Sequence, residues 1–283
     1  MAELTQAESH FRFGQNWADF ARQIEQPRIE QAQRDLARLL GHDHLDGLRF
    51  LDIGSGSGIH SLAALRMNAE ITAIDIDADS VSTTRALLAR FAPHSRWTAE
   101  VRSVFDLTPE SFGRFDIVYS WGVLHHTGAM YDAIRSAASL VDEHGTFCVA
   151  LYGRTMLCGV WRLEKRLYSR APEWVQRSLQ RLYVGAWWTA QSIKAGLRGR
   201  RFSLREHTEN YLHKRGMSFH TDVHDWLGGY PYESVAPEKL RDFMCALGFE
   251  EQRSFIQPGL RHGLFGYGCD EYVFVRKAAP VSA

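Results

Sequence analysis

The sequence predicts an α/β fold built on an open, mostly parallel sheet, and three observations lead there. An apolar run from Leu48 to Ile53 reads as a buried parallel strand and passes directly into Gly54-Ser55-Gly56-Ser57-Gly58, then into a helical pattern from Ile59 to Met67. Strand and helix patterns then alternate to about residue 152. After a stretch of different composition, the chain returns to one helix and two strands near its end.

Length and composition set the bounds. A chain of 283 residues with 45% hydrophobic residues can bury a sizeable core, in one large domain or two small ones. Lysine plus arginine balance aspartate plus glutamate at 33 each, so the whole chain has no global attraction to nucleic acid or membrane. No apolar run reaches the ~18 residues of a membrane span. The polar stretch from Met1 to His10 carries no signal-peptide core. Cys148, Cys158, Cys245 and Cys269 show no paired spacing and read as reduced thiols, which points to the cytoplasm.

The first segment, 1–44, reads as a helical cap. Asn16 is placed to cap a helix with Trp17 and Phe20 on one face, and Phe11 and Phe13 precede it. Pro27 suits the start of a second helix, in which Ile29, Ala32, Leu36, Leu39 and Leu40 recur at helical spacing until Gly41. The core segment, 45–152, has strands near 48–53, 70–75, 98–104, 115–120 and 145–152, with helices near 58–67, 79–91 and 130–141. In such sheets ligands bind at the carboxyl ends of the strands, where Asp52, Gly54, Gly56, Asp75 and Ser120 fall.

The glycine turn brings bare backbone N–H groups to a helix N-terminus, a place where a charged or phosphate-like group can approach the main chain. A dinucleotide site wants Gly-x-Gly-x-x-Gly, whereas here the spacing is Gly54, Gly56, Gly58, with Ile59 at the third dinucleotide position. Asp75 ends the second strand seventeen residues after Gly58, where a carboxylate can accept two hydrogen bonds from a ribose diol.

Asp52 followed by Gly-x-Gly-x-Gly resembles motif I of the class I methyltransferases, which bind S-adenosyl-L-methionine (SAM) and release S-adenosyl-L-homocysteine. The later signatures follow in order: Ile71 to Asp75, Phe115 to Ser120, then Trp121-Gly122-Val123-Leu124-His125-His126. The resemblance covers residues 45–152 well and 237–277 in outline. It implies a Rossmann-like seven-stranded sheet with an antiparallel last strand, and a cofactor site of Asp52, Gly54, Gly56, Gly58, Asp75 and Ser120. Arg102 to Leu107 resembles the adenine-contacting stretch; many members carry an acid where Ser103 stands, leaving the Ser103 hydroxyl, the Val104 backbone or Asp106 to serve. Helices before the first strand often close over the cofactor in this family, so Trp17 is expected to pack on SAM or, alternatively, to belong to an amphipathic core face with its neighbours.

The loop after the fourth strand lacks the Asn/Asp-Pro-Pro-aromatic pattern of nitrogen-methylating members, which points to a hydroxyl acceptor. His125 and His126 are candidate general bases, since histidine titrates near neutrality and can take a proton from a hydroxyl. Trp121 beside them is a candidate substrate contact.

Between Leu151 and Arg205, twelve arginines and lysines face only Glu164 and Glu173, with Trp161, Tyr168, Trp174, Tyr183, Trp187 and Trp188 interleaved. The spacing is helical, with breaks expected at Pro172, Gly185 and Gly196. In the family an insertion here elaborates the substrate lid, so residues 153–236 are expected to form a helical lid. A positive, aromatic lid suits an anionic or amphipathic small molecule; it equally suits an anionic membrane surface or an RNA. From His220 to Glu233 an extended reading puts His220, Asp222 and His224 on one face, a weak metal-ligand pattern. A substrate-facing loop is the preferred reading, with Trp226, Tyr230 and Tyr232 as flat walls and Asp225 or Glu233 holding or deprotonating a hydroxyl. No metal is assigned.

Residues 237–283 supply a helix from Pro237 with Leu240, Phe243, Met244 and Leu247 inward, a strand through Ile256, a glycine-rich excursion over 257–268, and a last strand from Cys269 to Arg276. The sequence resembles most a bacterial group of small-molecule methyltransferases carrying Trp121 to His126 and Asp225-Trp226-Leu227-Gly228-Gly229-Tyr230-Pro231. The reading is a SAM-dependent methyltransferase acting on a hydroxyl of a small-molecule or glycan-like acceptor. The alternatives are an RNA-modifying methyltransferase and a SAM-binding partner protein without catalysis.

Overall fold

The computed structural model describes residues 17, 21, 24–215, 219–256 and 268–277. The expectations for Phe11, Phe13, Asn16, Phe20 and the excursion over 257–267 lie outside them. The chain divides into two compact units, residues 1–159 with 231–283, and residues 160–230.

The larger unit is a sheet layered between helices. In order it contains α1 (Gln26–Leu40), β1 (Arg49–Ile53), α2 (Ile59–Arg66), β2 (Glu70–Asp75), α3 (Ala78–Phe91), β3 (Trp97–Val101), α4 (Pro109–Phe112), β4 (Phe115–Trp121), α5 (Met130–Ser139) and β5 (Val141–Tyr152). The strand order is β3-β2-β1-β4-β5-β7-β6, where β6 and β7 are the closing strands Phe249–Phe255 and Cys269–Arg276. The pairs among β1 to β5 are parallel, and β7 runs antiparallel to both β5 and β6. The strand order therefore reverses between β1 and β4, which opens a crevice at their carboxyl ends.

Alternation along the strands assigns the faces. Leu51, Ile53, Val118, Phe147 and Val149 turn toward α5 and toward a late helix, Pro237–Ala246, which contributes Leu240 and Met244 to the same core. On the other face Asp52 accepts a 2.6 Å hydrogen bond from the Ser61 hydroxyl of α2, and α2 packs against α1. Helix α1 has Pro27 in its first turn and Gly41 at its end in the left-handed region, with Ile29, Leu36, Leu39 and Leu40 buried.

Two strands differ from their expected bounds. β5 begins at Val141 rather than near 145: Val141 pairs with Phe115, and a register shift between Phe115 and Ile117 brings Thr146 opposite Ile117. β3 stops at Val101 rather than 104. The Ser103 hydroxyl accepts the Phe105 N–H at 3.3 Å and opens a 3-10 turn over Val104–Asp106, diverting the backbone from the ladder.

The unit of residues 160–230 is helical. It holds most of α6 (Cys158–Arg170), then α7 (Glu173–Gly196), α8 (Leu204–Arg215) and α9 (Phe219–Gly228). The helix of Pro237–Ala246 is α10. The expected break at Pro172 is present, but α7 runs through Gly185, since one glycine costs a helix only ~1 kcal/mol. Residues 220–224 are helical, not extended. Phe219, Val223 and Leu227 recur every four residues and are buried with Tyr168 and Val184, and this burial fixes the period. His220 and His224 then share one side of α9 while Asp222 turns elsewhere, so the one-face metal pattern is lost. Among the described residues no cluster of three His, Cys, Asp or Glu is placed to hold a metal.

The Asp52–Ser61 tie generates a test. Burial pushes the Asp52 carboxyl up to about 7; the Ser61 hydrogen bond lowers it, and the Asp75 charge raises it further. A carboxyl whose folded value lies above its unfolded value contributes stability that is present below about pH 4 and is lost as pH rises through about 7. Asp52→Asn keeps an acceptor for Ser61 and removes this loss. Its melting temperature should exceed that of the wild type at pH 8, by about 2–4 °C per kcal/mol recovered, and should match it near pH 4. Melting curves of equal pH dependence would show that Asp52 is not the source.

Candidate active site at the carboxyl edge of the sheet

The site starts from the turn between β1 and α2. Gly54 and Ser55 donate their N–H groups to the Ile74 carbonyl at 2.8 and 3.0 Å, which binds the turn to the end of β2. Gly54, Gly56 and Gly58 all have positive φ, near +77°, +53° and +78°. A Cβ on Gly54 would lie 2.4 Å from the Val123 side chain, so the loop after β4 packs directly on the turn. A Cβ on Gly56 would lie 3.1 Å from the Trp17 indole. Trp17, expected on the cofactor, thus rests against the glycine turn. Gly58 starts α2, with the Thr84 backbone 3.0 Å from where a Cβ would be. Thr84 also donates to the Gly56 carbonyl at 3.2 Å. The sequence offered no signal for Thr84, which meets the turn from α3.

Asp75 closes this turn. Its carboxylate accepts the Gly56 N–H at 3.0 Å and the Asp77 N–H at 2.9 Å. Burial pushes it up to about 6 despite those two donors, with the Asp77 charge adding to the rise. Each oxygen retains a lone pair for a further donor. Asp52 lies below the turn, only 3% exposed and bonded to Ser61. Ser120 is fully buried and donates to the Ile53 carbonyl at 3.0 Å, tying the ends of β1 and β4 together. Ser103 and Val104 lie at the 3-10 turn after β3, with Val104 in the core.

The loop after β4 forms a second 3-10 turn, Leu124–His126. Its two histidines have different surroundings. His125 is fully buried, its ring 3.9 Å from that of Tyr152 and 4.3 Å from that of His126. His126 is partly exposed, and its Nδ1 lies 2.7 Å from the Pro231 carbonyl. A carbonyl only accepts, so Nδ1 carries the hydrogen of this contact. Glu233 braces the same loop: its N–H donates to the His125 carbonyl at 3.0 Å, and its carboxylate accepts the Met130 N–H at the start of α5 at 2.9 Å. A carboxylate at a helix N-terminus is favoured by the helix dipole.

Trp121 stands at the end of β4 with its indole N–H donating to Glu271 at 3.0 Å, and Glu271 pairs with Arg38 at 2.6 Å. His60, in the first turn of α2, lies with its ring 5.4 Å from Tyr119 and 6.0 Å from Trp121. Burial pushes His60 down to about 4 against the pull of Asp35 and Glu271, so it is neutral. Glu271 and His60 had no sequence signal, because their partners are far away in the chain. Tyr152, the last residue of β5, was legible as a residue at the ligand-bearing edge.

Tyr232 is 7% exposed, its ring 5.5 Å from Tyr152 and its hydroxyl 3.6 Å from the Cys158 Sγ. That sulfur also receives the Thr155 N–H at 3.0 Å and the Ser234 hydroxyl at 3.2 Å. Burial raises the Cys158 thiol, and these hydrogen bonds outweigh it and leave the group below its ordinary value. The remaining expected residues belong to the helical unit. Asp225 lies on α9, and Tyr230 ends that unit. Trp226 packs within it, its ring 5.1 Å from Trp161 and 5.6 Å from Tyr183, with the Lys165 Nζ 4.1 Å from its centroid. Lys165 also donates to the Trp226 carbonyl. Trp226 is therefore packing for its own unit rather than an open wall.

Residues 51–147 match the model of a methyltransferase domain. The ubiquinone biosynthesis O-methyltransferase of Xanthomonas campestris pv. campestris (strain B100) is 36% identical over 111 residues, covering 39% of this chain and 46% of that protein. The chain thus aligns with about half the length of the curated relatives it matches. Magnesium protoporphyrin IX methyltransferase from Synechocystis PCC 6803, solved with bound SAH, superposes with a TM-score of 0.53 at 16% identity, covering 88% of this chain and 83% of that one. PKMT2 from Rickettsia typhi, in complex with AdoHcy, gives 0.57 at 13% identity, covering 88% and 53%. At these identities the structures speak for the fold, and the domain match speaks for residues 51–147. Residues 51–147 thus match a methyltransferase domain, and the sheet around them has the fold of solved methyltransferases.

Proposed function

We propose that the chain transfers a methyl group from SAM to a hydroxyl of a small-molecule acceptor, with His126 as general base. The observation that carries this reading is the packing of the loop that bears His126 onto the glycine turn, through Val123 on Gly54, in a chain whose residues 51–147 match a methyltransferase domain. The Xanthomonas relative is an O-methyltransferase, which supports oxygen as the acceptor atom.

The residues present fit the cofactor. The turn leaves backbone at Gly56 free of any Cβ, and Asp75 is a desolvated carboxylate with acceptor capacity that a ribose diol would use. Asp75 and the Gly54–Gly58 backbone would hold the nucleoside end. When bound, SAM supplies a methyl group on a cationic sulfur, which leaves as a neutral thioether and needs no acid. The work left to the protein is alignment of the hydroxyl, removal of its proton and exclusion of water. The Pro231 carbonyl holds the hydrogen on His126 Nδ1, and the role proposed for Nε2 is to take the proton of the acceptor hydroxyl. Glu233 and His125 are proposed to position this loop, the first by its hydrogen bonds and the second by its tilted ring contact with Tyr152.

The reading is tested at Asp75, at Gly56 and at the two histidines. Calorimetry should show SAM binding that weakens about 10-fold or more in Asp75→Ala, the loss of hydrogen bonds to a charged acceptor. In the wild type that affinity should fall as pH drops below about 6, because the protonated carboxyl loses acceptor capacity. Unchanged affinity on both counts would remove Asp75 from the site. Gly56→Val should abolish SAM binding, by strain at positive φ and collision with Trp17. Release of S-adenosyl-L-homocysteine, assayed with a panel of small hydroxylated acceptors, should fall about 100-fold or more in kcat for His126→Ala with SAM affinity intact. His125→Ala should instead lower the melting temperature, as loss of a buried ring does. Wild-type turnover in His126→Ala would shift the base elsewhere, and tight SAM binding with no turnover on any acceptor or cell extract would favour the non-catalytic partner reading.

A further inference from the structure

We propose that the outer face of α6 and α7 binds the surface of an anionic lipid bilayer. The starting point is how little these helices bury. Of the 24 residues of α7 only Val184 is buried, and of α6 only Lys165 and Tyr168. Tyr168 and Val184 join Phe219, Val223 and Leu227 of α9 in the unit's core. A helix of this length normally buries a full apolar stripe.

The residues left outside are apolar and ordered. On α6, Val160, Leu163 and Leu167 follow one another at spacings of three and four, with Leu163 and Leu167 58% and 63% exposed. Arg162, Arg166 and Arg170 form a parallel row beside them, also at a spacing of four. On α7 and just past its end, Leu179, Leu182, Ala186, Ile193 and Leu197 fall on one side of the helix, at steps of three, four, seven and four. Leu182, Ile193 and Leu197 are 69%, 61% and 86% exposed, and Trp174 at the start of the helix is 71% exposed. At ~1.5 Å per residue, the stretch from Leu179 to Leu197 is about 27 Å long. Arg177, Arg181 and Lys194 flank it, Arg177 paired with Glu173 at 2.8 Å.

The chemistry selects the occupant. Exposed aliphatic side chains gain free energy only by leaving water, and a row of arginines alongside favours an anionic boundary. Helices with this division lie in a membrane interface with the apolar stripe among the acyl chains and the cations at the headgroups. No helix among the described residues is long and apolar enough to cross a bilayer, so the contact is with its surface. A second copy of the chain fits poorly, since it would bring Arg177, Arg181 and Lys194 toward their equivalents with only Glu173 to offset them. RNA would use the arginines but gives the leucines and Ile193 no role, because single-strand recognition stacks bases on flat rings.

The test uses the full chain and sedimentation with vesicles of phosphatidylcholine alone or mixed with phosphatidylglycerol. Binding should be at least about 10-fold tighter to the anionic vesicles, and part of it should survive high salt. Leu182→Asp combined with Ile193→Asp should lower vesicle binding about 10-fold or more, with melting temperature and SAM binding unchanged. Arg166→Glu with Arg170→Glu should weaken binding and flatten its salt dependence. Equal affinity for the two vesicle types, no sedimentation with either, or undiminished binding by the apolar variant would overturn the proposal. So would a dimer, seen by analytical ultracentrifugation, that the Leu182→Asp and Ile193→Asp changes dissolve, or salt-sensitive retention of single-stranded RNA without vesicle binding. Vesicle binding is measured without turnover, so its failure leaves the methyltransferase reading standing, and the converse.

Discussion

The edge of the sheet depends on one carboxylate. Asp75 accepts the Gly56 N–H from the turn it faces and the Asp77 N–H from its own strand end. Three glycines at positive φ would otherwise leave that turn free to take many shapes. The Asp75 bond and the two bonds to the Ile74 carbonyl reduce these to one, in which α2 starts where β1 ends. The arrangement carries a cost. Both Asp75 and Asp52 are desolvated, and the Asp75 charge raises Asp52 further, so the protein holds two carboxylates in unfavourable surroundings at its ligand edge. Strained electrostatics of this kind cluster where binding has to be specific.

The second constraint runs through the 231–235 segment. It returns from the helical unit, pairs with the end of β5 through Val235, and donates and accepts around the loop after β4. Pro231 orients His126, and Glu233 holds both the His125 carbonyl and the start of α5. The loop with the candidate base is therefore shaped by residues more than a hundred positions later in the chain.

That separation explains which parts were legible in the sequence. Elements whose signal is local came through: the glycine turn, Asp75, the alternation of β1 to β5, and Pro27 and Gly41 at the ends of α1. Where the period was misjudged, burial decided. Phe219, Val223 and Leu227 make 219–228 a helix, although His220, Asp222 and His224 read equally well as alternate residues of a strand. Trp226 looked like a recognition residue because a tryptophan between Asp225 and glycines has no evident local role; its partners, Trp161, Tyr183 and Lys165, are some forty to sixty-five residues away. Glu271 and Cys158 were silent for the same reason, since a glutamate in a last strand and a single cysteine carry no pattern until Trp121, Arg38, Thr155 and Ser234 are brought to them.

The Cys158 contacts bear on how such a chain can change over time. Thr155 and Cys158 lie where the chain leaves the sheet, and Tyr232 and Ser234 lie where it returns, all gathered on one sulfur, with Gly153 bridged to Val235 just behind. The two ends of the excursion are thus fixed by the sheet unit itself, and the register of β5 and β7 is set without reference to what the intervening residues do. Because loop-closure entropy grows only slowly with length, a shorter or longer excursion at this junction would cost the sheet little. The junction is a natural splice point: the helical unit can be exchanged, lengthened or pared back while the glycine turn, Asp75 and the histidine loop remain as they are.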